Sequence, residues 1–391
     1  MDGLGKIIIA GAFKLPENDA GATRAVHMAR SMIASGYDVC LLGMGTSSPQ
    51  HYVDGKYVYN DIEYDVILDS NQSVFKKMIA FFMFPYDIIK KIKQIHSKTP
   101  VKAIIIEGPS ASLCRPLIKF AKKENIKIII DVVEWFNITH FKGGLFSMEA
   151  INHLFGFYKT YHKAENIIAI SSLIEDYYEK AGCKTLLMPV TYDTSKYTVT
   201  PKNNSFPLTL AYAGMPGKKD YIANAIKGYL SVPELYEKFR IRLIGISFDN
   251  LKQMLTEDEF NKAQKHIQCD GKLPVDTARE AISAADFTVL LRPNERFANA
   301  GFPTKFVESI TLGTPVILNL TSDLHRYVTD SVNCIVSKDC EPASFAEALK
   351  KIAALSSDDI NKLSKNARKL AENSFDCCNF SNALKCFIEV E

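Results

Sequence analysis

Short apolar runs alternate with longer stretches of helical spacing along nearly the whole chain. The runs are rich in Ile, Val and Leu, as in strands buried on both faces, and the stretches between them have helical periodicity. Strands that alternate with helices indicate a parallel sheet covered by helices on both sides. The predicted strands are 6–10, 37–42, 101–106, 126–132, 167–170, 186–188, 208–213, 240–244, 287–291, 316–318 and 334–336, and the predicted helices include 20–35, 116–124, 275–285 and 342–355.

The alternation stops once, at residues 190–207. This segment is rich in Thr, Ser, Asn and Pro and has few large apolar residues, a composition typical of a linker. The chain of 391 residues is long enough for two or three domains, each with a core of its own. The pattern therefore predicts an α/β protein with two doubly wound halves, whose ligands bind outside the carboxyl ends of the strands.

Composition and the first residues narrow the class of protein. Hydrophobic residues make up 47% and charged residues 23% of the sequence, as in globular proteins. No apolar run approaches the ~20 residues that a membrane-spanning helix needs. The chain starts directly with a strand pattern and shows no leader pattern, and its nine cysteines form no CxxC pair. We therefore expect a cytoplasmic protein with reduced thiols.

The net charge of +3 hides a strongly basic region. Residues 76–127 contain twelve Lys or Arg and three acids, a balance of +9, so the rest of the chain sums to −6. Within this region, segment 75–98 interleaves Phe and Tyr with Lys, which suits peripheral contact with the anionic inner face of a membrane. A solvated helix face packed over a core is an equally open interpretation. No nucleic-acid-binding motif accompanies the charge, so we expect no nucleic acid partner.

Segment 292–317 carries the most informative chemistry in the sequence. It starts where an apolar strand ends, and residues 301–304 then begin a helix, with Pro303 suited to the first helical position. Free backbone N–H groups at a helix N-terminus bind anions, and Lys305 adds a cation. Glu308 lies one turn further on the same face, where a carboxylate can hold a ribose diol. These groups suit a nucleotide-sugar, although an ordinary helix start in a doubly wound sheet is the alternative.

These residues resemble the retaining glycosyltransferases of family 4, the glycosyl transferases group 1, which have the GT-B fold. The family pattern is similar to E-G-F-G-x-P-x-x-E-A-x-x-x-G-x-P-V; its first glutamate typically touches the donor sugar, and its second holds the ribose. The resemblance implies that Glu308 binds the ribose, whereas Ala300 replaces the first glutamate and puts the identity of the sugar in doubt. The positions in register are Gly301, Phe302, Glu308, Gly313, Pro315 and Val316, and Pro303 lies two residues before the proline of the pattern.

A second loop, 211–220, follows the first strand of the second half. Its two glycines let the backbone approach a diphosphate, and Lys219 can neutralise the charge. The family usually has an arginine and a lysine here, but Met215 occupies the arginine position. Lys218 or Lys219, together with Arg292, would then cover the phosphates; a turn with solvated lysines is the alternative. The expected donor site consists of Gly214, Lys219, Arg292, Gly301, Phe302, Pro303, Thr304, Lys305 and Glu308.

The turn after the first strand is a candidate acceptor site. It lacks the G-x-G-x-x-G pattern of dinucleotide-binding proteins. It resembles the family loop in which a Gly-Gly pair contacts the acceptor and the leaving phosphate. The corresponding residues here are Asn18, Gly21, Ala22 and Arg24, unless the turn is a plain helix start. Glu107, at the end of another strand, could contribute to the acceptor pocket.

Glu134 is the candidate catalytic residue. It follows the strand 126–132 and precedes the only Trp of the chain. In many relatives a histidine near this position touches the sugar, and the resemblance implies that Glu134 takes its place. A structural carboxylate that anchors the loop 137–146 is the other interpretation, and both stay open.

The sequence shows no metal-binding pattern. It contains no D-x-D triplet, and its eight histidines lack H-x-x-x-H and H-E-x-x-H spacing. We therefore expect no metal and no cofactor. The diphosphate of a donor would instead be neutralised by Lys, Arg and helix N-termini.

The resemblance implies a transferase that moves a sugar from a nucleotide-diphosphate-sugar, with a UDP-sugar favoured, to a saccharide or lipid-linked acceptor in surface polysaccharide or glycolipid biosynthesis. It implies two doubly wound Rossmann-like domains facing a central cleft: an acceptor domain at 1–195 and a donor domain at 196–372, with a C-terminal helix at 373–391 that packs back on the first. Two alternatives are kept, a nucleotide-sugar epimerase of the same architecture and a non-catalytic sugar-binding protein.

Overall fold

The computed structural model describes residues 4–46, 51–53, 55–69, 74–138, 141, 143–199, 202, 205–217 and 219–390, without the side chains of 74–82 and Leu145. The chain divides into two compact units. The first contains Met1–Asp193, Ala300–Phe302 and Asp376–Glu391, and the second contains Thr194–Asn299 and Pro303–Phe375.

Strands and helices alternate through most of the described chain. The strands are β1 (Lys6–Leu15), β2 (Asp38–Gly45), β3 (Tyr52–Val53), β4 (Lys56–Tyr59), β5 (Ile62–Asp69), β6 (Val101–Glu107), β7 (Lys127–Val132), β8 (Asn166–Ala169), β9 (Lys184–Leu187), β10 (Leu208–Ala213), β11 (Phe239–Ile244), β12 (Ile267–Gly271), β13 (Phe287–Leu290), β14 (Val316–Leu318) and β15 (Ile335–Val336). The helices are α1 (Ala20–Ala34), α2 (Val74–His96), α3 (Ala111–Lys123), α4 (Met148–Lys159), α5 (Ser172–Lys180), α6 (Ile222–Leu230), α7 (Phe248–Met254), α8 (Glu257–Ala263), α9 (Val275–Ala284), α10 (Arg296–Ala300), α11 (Thr304–Thr311), α12 (Pro342–Ala353), α13 (Ser357–Ser374) and α14 (Ser381–Glu389).

The first unit is built on a sheet with the strand order β3-β4-β5-β2-β1-β6-β7-β8-β9. β1 pairs in parallel with β2 on one side and β6 on the other. Its residues Ile7, Ile8 and Ile9 are fully buried, which a central strand requires because helices cover both faces. The strands that directly follow β1 in the chain, β2 to β5, lie on one side of it in the sheet, and the strands from β6 onward lie on the other side. The carboxyl ends of β1 and β6 therefore flank a topological switch point, where doubly wound sheets bind ligands.

The prediction of a parallel sheet is wrong at one edge of this unit. β3 and β4 pair antiparallel with each other, and β4 pairs antiparallel with β5. Asn60 and Asp61 connect β4 to β5 with φ angles of 52° and 64°, as a tight hairpin with a primed turn needs. The polar and aromatic alternation around this Asn-Asp pair was the available sequence signal.

Two helices of the first unit correct or extend the sequence expectations. α3 starts at Ala111, five residues before the predicted start, with Ser110 in the N-cap position and Pro116 inside the helix. A proline in the second turn removes one backbone hydrogen bond, and the buried apolar face of the helix outweighs that loss. α14 contributes Leu384 and Ile388 to the hydrophobic core that also holds Ile7 and Met28.

The second unit has the strand order β12-β11-β10-β13-β14-β15, and all its strand pairs are parallel. Its core includes Leu210, Tyr212, Phe287 and Phe345. The prediction missed β12 because only Ile267 of that edge strand is buried. The chain changes sides between β10 and β13, so the loops that follow these two strands flank the switch point of this sheet.

Candidate functional site

Glycines line the carboxyl edge of the second sheet. Gly214, Gly245 and Gly271 follow or end β10, β11 and β12, with φ angles of 119°, 92° and 63° that favour glycine. A Cβ atom on Gly245 would lie 3.0 Å from the carbonyl carbon of Gly214, so the two loops touch through their backbones. The edge therefore exposes backbone without side chains, as a diphosphate-binding surface requires. Sequence reasoning identified Gly214 and missed the other two, although each ends a strand.

Asp220 is the centre of a buried charge cluster at the switch point. Its carboxylate accepts hydrogen bonds from Tyr212 Oη at 2.9 Å, Arg292 Nε at 2.9 Å and Lys305 Nζ at 2.8 Å. Burial alone would raise the pKa of Asp220, but Lys305 and Arg292 hold it below its usual value. The cluster thus joins the loops after β10 and β13 to the start of α11. Sequence reasoning missed Asp220, whose position directly after Lys218-Lys219 was the available signal.

Two cations of the cluster keep N–H groups beyond those that bond to Asp220. Arg292 uses Nε for Asp220, and no described residue accepts a hydrogen bond from its two terminal nitrogens. Asn319 fixes the Arg292 backbone on both sides, accepting from its N–H at 2.9 Å and donating to its carbonyl at 2.8 Å. The Lys305 side chain is partly exposed and crosses Gly214, where a Cβ would lie 2.9 Å from Lys305 Cε. The structure therefore brings Arg292, Lys305 and Gly214 together, three of the residues predicted for the donor site.

Helix α11 begins at this cluster. Pro303 is the N-cap residue rather than the first helical residue, and no side chain caps the helix. The N–H groups of Phe306 and Val307 both bond to the Pro303 carbonyl, whereas those of Thr304 and Lys305 have no partner among the described residues. Two free N–H groups and the positive helix end form an anion site beside the Lys305 ammonium group.

Glu308 lies one turn into α11 and is partly exposed. It accepts a hydrogen bond from Arg279 Nε of α9 at 3.3 Å. Arg279 in turn lies over the Tyr197 ring, with its guanidinium carbon 5.7 Å from the ring centroid. Sequence reasoning missed Arg279. The ion pair fixes the position of the Glu308 carboxylate, which is the more exposed of the two side chains.

The remaining predicted donor residues lie in different surroundings. Lys219 is half-buried and already interacts within the protein, and Lys218 lies outside the described residues. Gly301 and Phe302 directly precede α11 in the chain but belong to the first compact unit. Phe302 is buried, so its side chain packs within the protein rather than presenting a surface to a ligand.

The predicted acceptor loop forms the N-terminus of α1 at the switch point of the first sheet. Asp19 caps the helix, accepting from the Ala22 N–H at 2.8 Å, and Asn18 Nδ2 donates to the Leu15 carbonyl. Ala22 is fully buried. A Cβ on Gly21 would lie 2.9 Å from Glu107 Oε2, so glycine is needed here for a carboxyl group to reach the helix.

Arg24 has a different role from the acceptor contact expected of it. Its guanidinium group forms a bidentate pair with the fully buried Asp131, through Nε–Oδ2 at 2.6 Å and Nη2–Oδ1 at 2.8 Å. It also donates to the carbonyls of Pro189 at 2.9 Å and Met188 at 3.0 Å. With four of its five N–H donors used and only 5% of the residue exposed, Arg24 is a structural residue that links α1, β7 and the segment after β9.

Glu107 is the unusual carboxyl group of the first unit. It ends β6, is 3% exposed, and has no hydrogen-bond partner for its side chain among the described residues. Burial and then the neighbouring Asp131 carboxylate raise the pKa of Glu107 to about 8, although Arg24 opposes the shift. At pH 7 the group is therefore mostly protonated and can donate a hydrogen bond. It faces Gly21 at the switch point. Sequence reasoning had suggested only that Glu107 could contribute to the acceptor pocket.

Glu134 lies in the wall of a small, largely aromatic pocket in the first unit. The pocket also contains His153 of α4, whose pKa burial lowers while Glu149 and Glu134 raise it. Glu134 has interactions of its own within the protein. The structure therefore places a histidine and a carboxylate together, and sequence reasoning missed His153. The pocket is lined by Gly108, Pro109, Val133, Glu134, Trp135, Phe136, His153, Leu154, Phe157 and Tyr161.

The basic segment 75–98 belongs to α2. The side chains of Phe75, Lys76, Lys77, Phe81 and Phe82 lie outside the described residues. Lys90 and Lys93 are exposed, whereas Lys91 forms an ion pair with Asp65. Among the helices of the described residues, none is both long enough and apolar enough to cross a membrane.

One group of possible metal ligands occurs in the described part of the chain, Asp376 with Cys377 and Cys378. These three residues are consecutive, and Cys377 is buried. Burial raises the pKa of the Cys377 thiol, which disfavours the thiolate that metals bind. The group is separate from the two switch points described above.

The second unit matches a known family in sequence. Residues 200–370 match the family described as Glycosyl transferases group 1. WcaL of Escherichia coli K12, provisionally named a colanic acid biosynthesis glycosyltransferase, is 23% identical over 238 residues. That alignment covers 59% of this chain and 58% of WcaL, so it spans little more than half of the relative.

Solved structures share the fold over nearly the whole chain. The sucrose-phosphate synthase of Thermosynechococcus elongatus has a TM-score of 0.69 and 14% identity, with 98% of each chain covered. HepE of Anabaena, solved in complex with UDP and glucose, has a TM-score of 0.68 and 14% identity, with 99% of this chain and 100% of HepE covered. The fold is therefore that of the GT-B glycosyltransferases, with two Rossmann-like halves built on largely parallel sheets. The match of residues 200–370 to the Glycosyl transferases group 1 family agrees with the family resemblance of segment 292–317.

Proposed function

We propose that this protein is a glycosyltransferase that moves a sugar from a nucleotide-diphosphate-sugar to a saccharide or lipid-linked acceptor. The observation that carries the proposal is the Asp220 cluster, which holds Arg292 and Lys305 beside the free N–H groups of α11 inside the matched domain. A site with two cations and a helix N-terminus is suited to a leaving diphosphate. A preorganised site of this kind stabilises negative charge as it develops, without reorganising during the reaction.

The proposed chemistry assigns a task to each group. The terminal nitrogens of Arg292, the Lys305 ammonium group and the Thr304 and Lys305 N–H groups would receive the diphosphate, and Glu308 would hold the ribose. Asp220 acts as a positioning residue, because it fixes both cations through short hydrogen bonds. Transfer with retention at the sugar carbon is part of the proposal. The acceptor would bind at the switch point of the first unit, near Gly21 and the protonated Glu107.

Names of similar proteins support the finer parts of the proposal. HepE was solved with UDP and glucose, which supports a UDP-sugar donor, and WcaL is named for colanic acid biosynthesis, which supports a role in surface polysaccharide or glycolipid biosynthesis. A cytoplasmic location and peripheral contact with the inner membrane face, through the basic segment 75–98, complete the proposal. No metal ion is assigned to the reaction, because cations of the chain occupy the expected phosphate site.

The proposal is tested by ligand screening followed by turnover. A panel of UDP-, GDP- and other nucleotide-sugars should identify one donor that raises the melting temperature, since saturation at ~100 times Kd adds about 2.7 kcal/mol to the stability. That donor with a saccharide acceptor should give a glycoside, and turnover should persist in EDTA. Isomerised sugar released without any acceptor would indicate the epimerase instead. If no nucleotide-sugar stabilises the protein, both enzymatic functions, the glycosyltransferase and the epimerase, are contradicted.

The diphosphate assignment predicts a selective loss of affinity. Replacing Lys305 by alanine should weaken UDP binding by about 1.5–3 kcal/mol, the usual contribution of a charged hydrogen bond, and leave uridine binding unchanged. Lys219→Ala should show a loss in the same direction. Lys252→Ala, an exposed lysine of α7, is the matched control. Isothermal titration with both ligands measures the difference, and equal losses for UDP and uridine would show that Lys305 acts through folding.

The ribose assignment predicts a loss that depends on the sugar hydroxyls. Glu308→Ala should weaken UDP binding by on the order of 2 kcal/mol. The same variant should bind 2′,3′-dideoxy-UDP as well as the wild type does, because that ligand lacks the hydroxyls from which Glu308 would accept hydrogen bonds. A loss of equal size for both ligands would remove Glu308 from the ribose site and point to the broken Arg279 pair instead.

A further inference from the structure

One face of α4 exposes large apolar side chains in a continuous row. Phe146, in the turn before the helix, is 94% exposed, and Met148, Ile151, Phe155 and Tyr158 are 77%, 46%, 41% and 38% exposed. We call these five residues the apolar row. The four helical positions are spaced three, four and three apart, so they share one side of the helix. Exposure falls steadily from the N-terminal end of the row to its C-terminal end.

Such a row is unusual on a protein surface. Single exposed apolar residues are common and need no explanation, but contiguous patches mark sites of interaction. The opposite side of α4 is the packed one, with Ala150 and Phe157 buried. The helix therefore has apolar side chains on its outward side as well as on its packed side. Only a binding partner that covers this surface would remove its apolar side chains from water.

Basic residues adjoin the row on the neighbouring helix α3. The exposed cations of α3 are Arg115, Lys119, Lys122 and Lys123, of which Lys122 is paired with Glu165, and α3 itself contains no acid. Ser112 and Asn152 join the two helices through hydrogen bonds of 2.8 and 2.9 Å.

Direct contacts make the basic and apolar surfaces continuous. The guanidinium group of Arg115 lies 4.2 Å from the ring centroid of Phe155, a member of the row. On the other side of α3, Lys93 of α2 lies over the Phe120 ring at 5.7 Å. A cation stacked on a half-exposed ring is an arrangement suited to the boundary between lipid headgroups and acyl chains.

We propose that the apolar row and the α3 cations form a docking surface for an anionic lipid bilayer, with the Phe146 end inserted deepest. Apolar side chains flanked by Lys and Arg bind such an interface by burying apolar area and attracting lipid phosphates. A second copy of this chain fits less well, because a symmetric contact would bring the like-charged α3 helices together. The surface adds a second element to the basic segment 75–98, and the inference stands even if the proposed transferase activity fails.

Vesicle sedimentation tests the apolar part of the surface. Wild-type protein should pellet with vesicles that contain phosphatidylglycerol and stay in solution with phosphatidylcholine alone. The double variant Phe146→Ser/Met148→Ser should bind the anionic vesicles at least about tenfold more weakly than the wild type, since two large apolar side chains are lost. Phe248→Ser/Val332→Ser is the matched control, because these second-unit residues are 40% and 47% exposed and should not affect binding.

The charged part has its own control. Lys119→Glu/Lys123→Glu should reduce binding to anionic vesicles and flatten its dependence on salt, whereas Lys252→Glu should not. Wild-type protein that stays in the supernatant with anionic vesicles at low salt overturns the proposal. So does equal binding by the wild type and the Phe146/Met148 variant. Loss of a concentration-dependent dimer in that variant, with vesicle binding intact, would identify the row as a contact between copies.

Discussion

Replacing Asp131 by alanine is expected to lower the free energy of unfolding of the first unit by about 3–5 kcal/mol. The substitution leaves the Arg24 guanidinium group buried without its bidentate partner, and an uncompensated buried charge has a cost of this size. Trp135, the only tryptophan of the chain, lies in the first unit, so its fluorescence in urea reports the unfolding of that unit.

A double variant separates the charge from the packing. Arg24→Met/Asp131→Leu removes both charges and fills similar volume, and apolar replacements of buried pairs are often neutral or stabilising. It should recover most of the stability that Asp131→Ala loses. An Asp131→Ala variant that loses less than about 1 kcal/mol would show that Arg24 is satisfied without the pair, and would reopen its assignment as an acceptor-binding residue.

Replacing Glu107 by glutamine is expected to remove a pH dependence of stability on the order of 4 kcal/mol. Burial, with Asp131, raises the pKa of this carboxyl group from 4.5 to about 8 in the folded protein. Below pH 4.5 both states hold the proton and the group has no effect. Between pH 4.5 and 8 the unfolded state releases its proton while the folded state retains it, so the wild type loses stability as pH rises. Above pH 8 the loss levels off.

The test compares slopes rather than single values. A buried glutamine adds its own cost, but that cost is the same at every pH. Urea unfolding followed by Trp135 fluorescence from pH 5 to 9 should therefore show two curves that diverge, with the variant gaining on the wild type as pH rises. Asp176→Asn, which removes an exposed carboxylate of α5 in the same unit, is the matched control and should run parallel to the wild type. Parallel curves for Glu107→Gln would show that Glu107 ionises normally in the folded state.

The strand and helix pattern was largely readable because central strands are buried on both faces. Runs such as Ile7–Ile9 have no polar position, and a short run of this kind between amphipathic helices indicates a parallel strand. The same rule explains the missed strands at the sheet edges, whereas β5, which lies between β4 and β2, was missed because polar positions interrupt it. β12 buries one residue, and the hairpin of β3 and β4 sits at a sheet edge, so neither has a continuous apolar run. Edge strands were therefore invisible to a criterion based on burial.

Only the part of the candidate site whose residues lie close together in the sequence could be predicted from the sequence. Residues 301–304 and Glu308 are close in sequence, so their spacing alone predicted a helix start with a carboxylate one turn away, and α11 has this geometry. Asp220, Arg292 and Lys305 are separated by 72 and 85 residues in the pairs they form, and no sequence spacing connects them. Their convergence follows from the strand order, which places the ends of β10 and β13 side by side.

By itself, the sequence determined the α/β class and the family resemblance of the second half, because these follow from periodicity and short motifs. Only the tertiary structure decided which charges are partners. Arg24 and Lys305 are both basic residues near a helix start. Arg24 is buried beside Asp131, whereas Lys305 is paired with Asp220 and stays partly exposed to solvent. Whether a charge is paired and buried depends on residues distant in sequence, and that distance is closed by the fold alone.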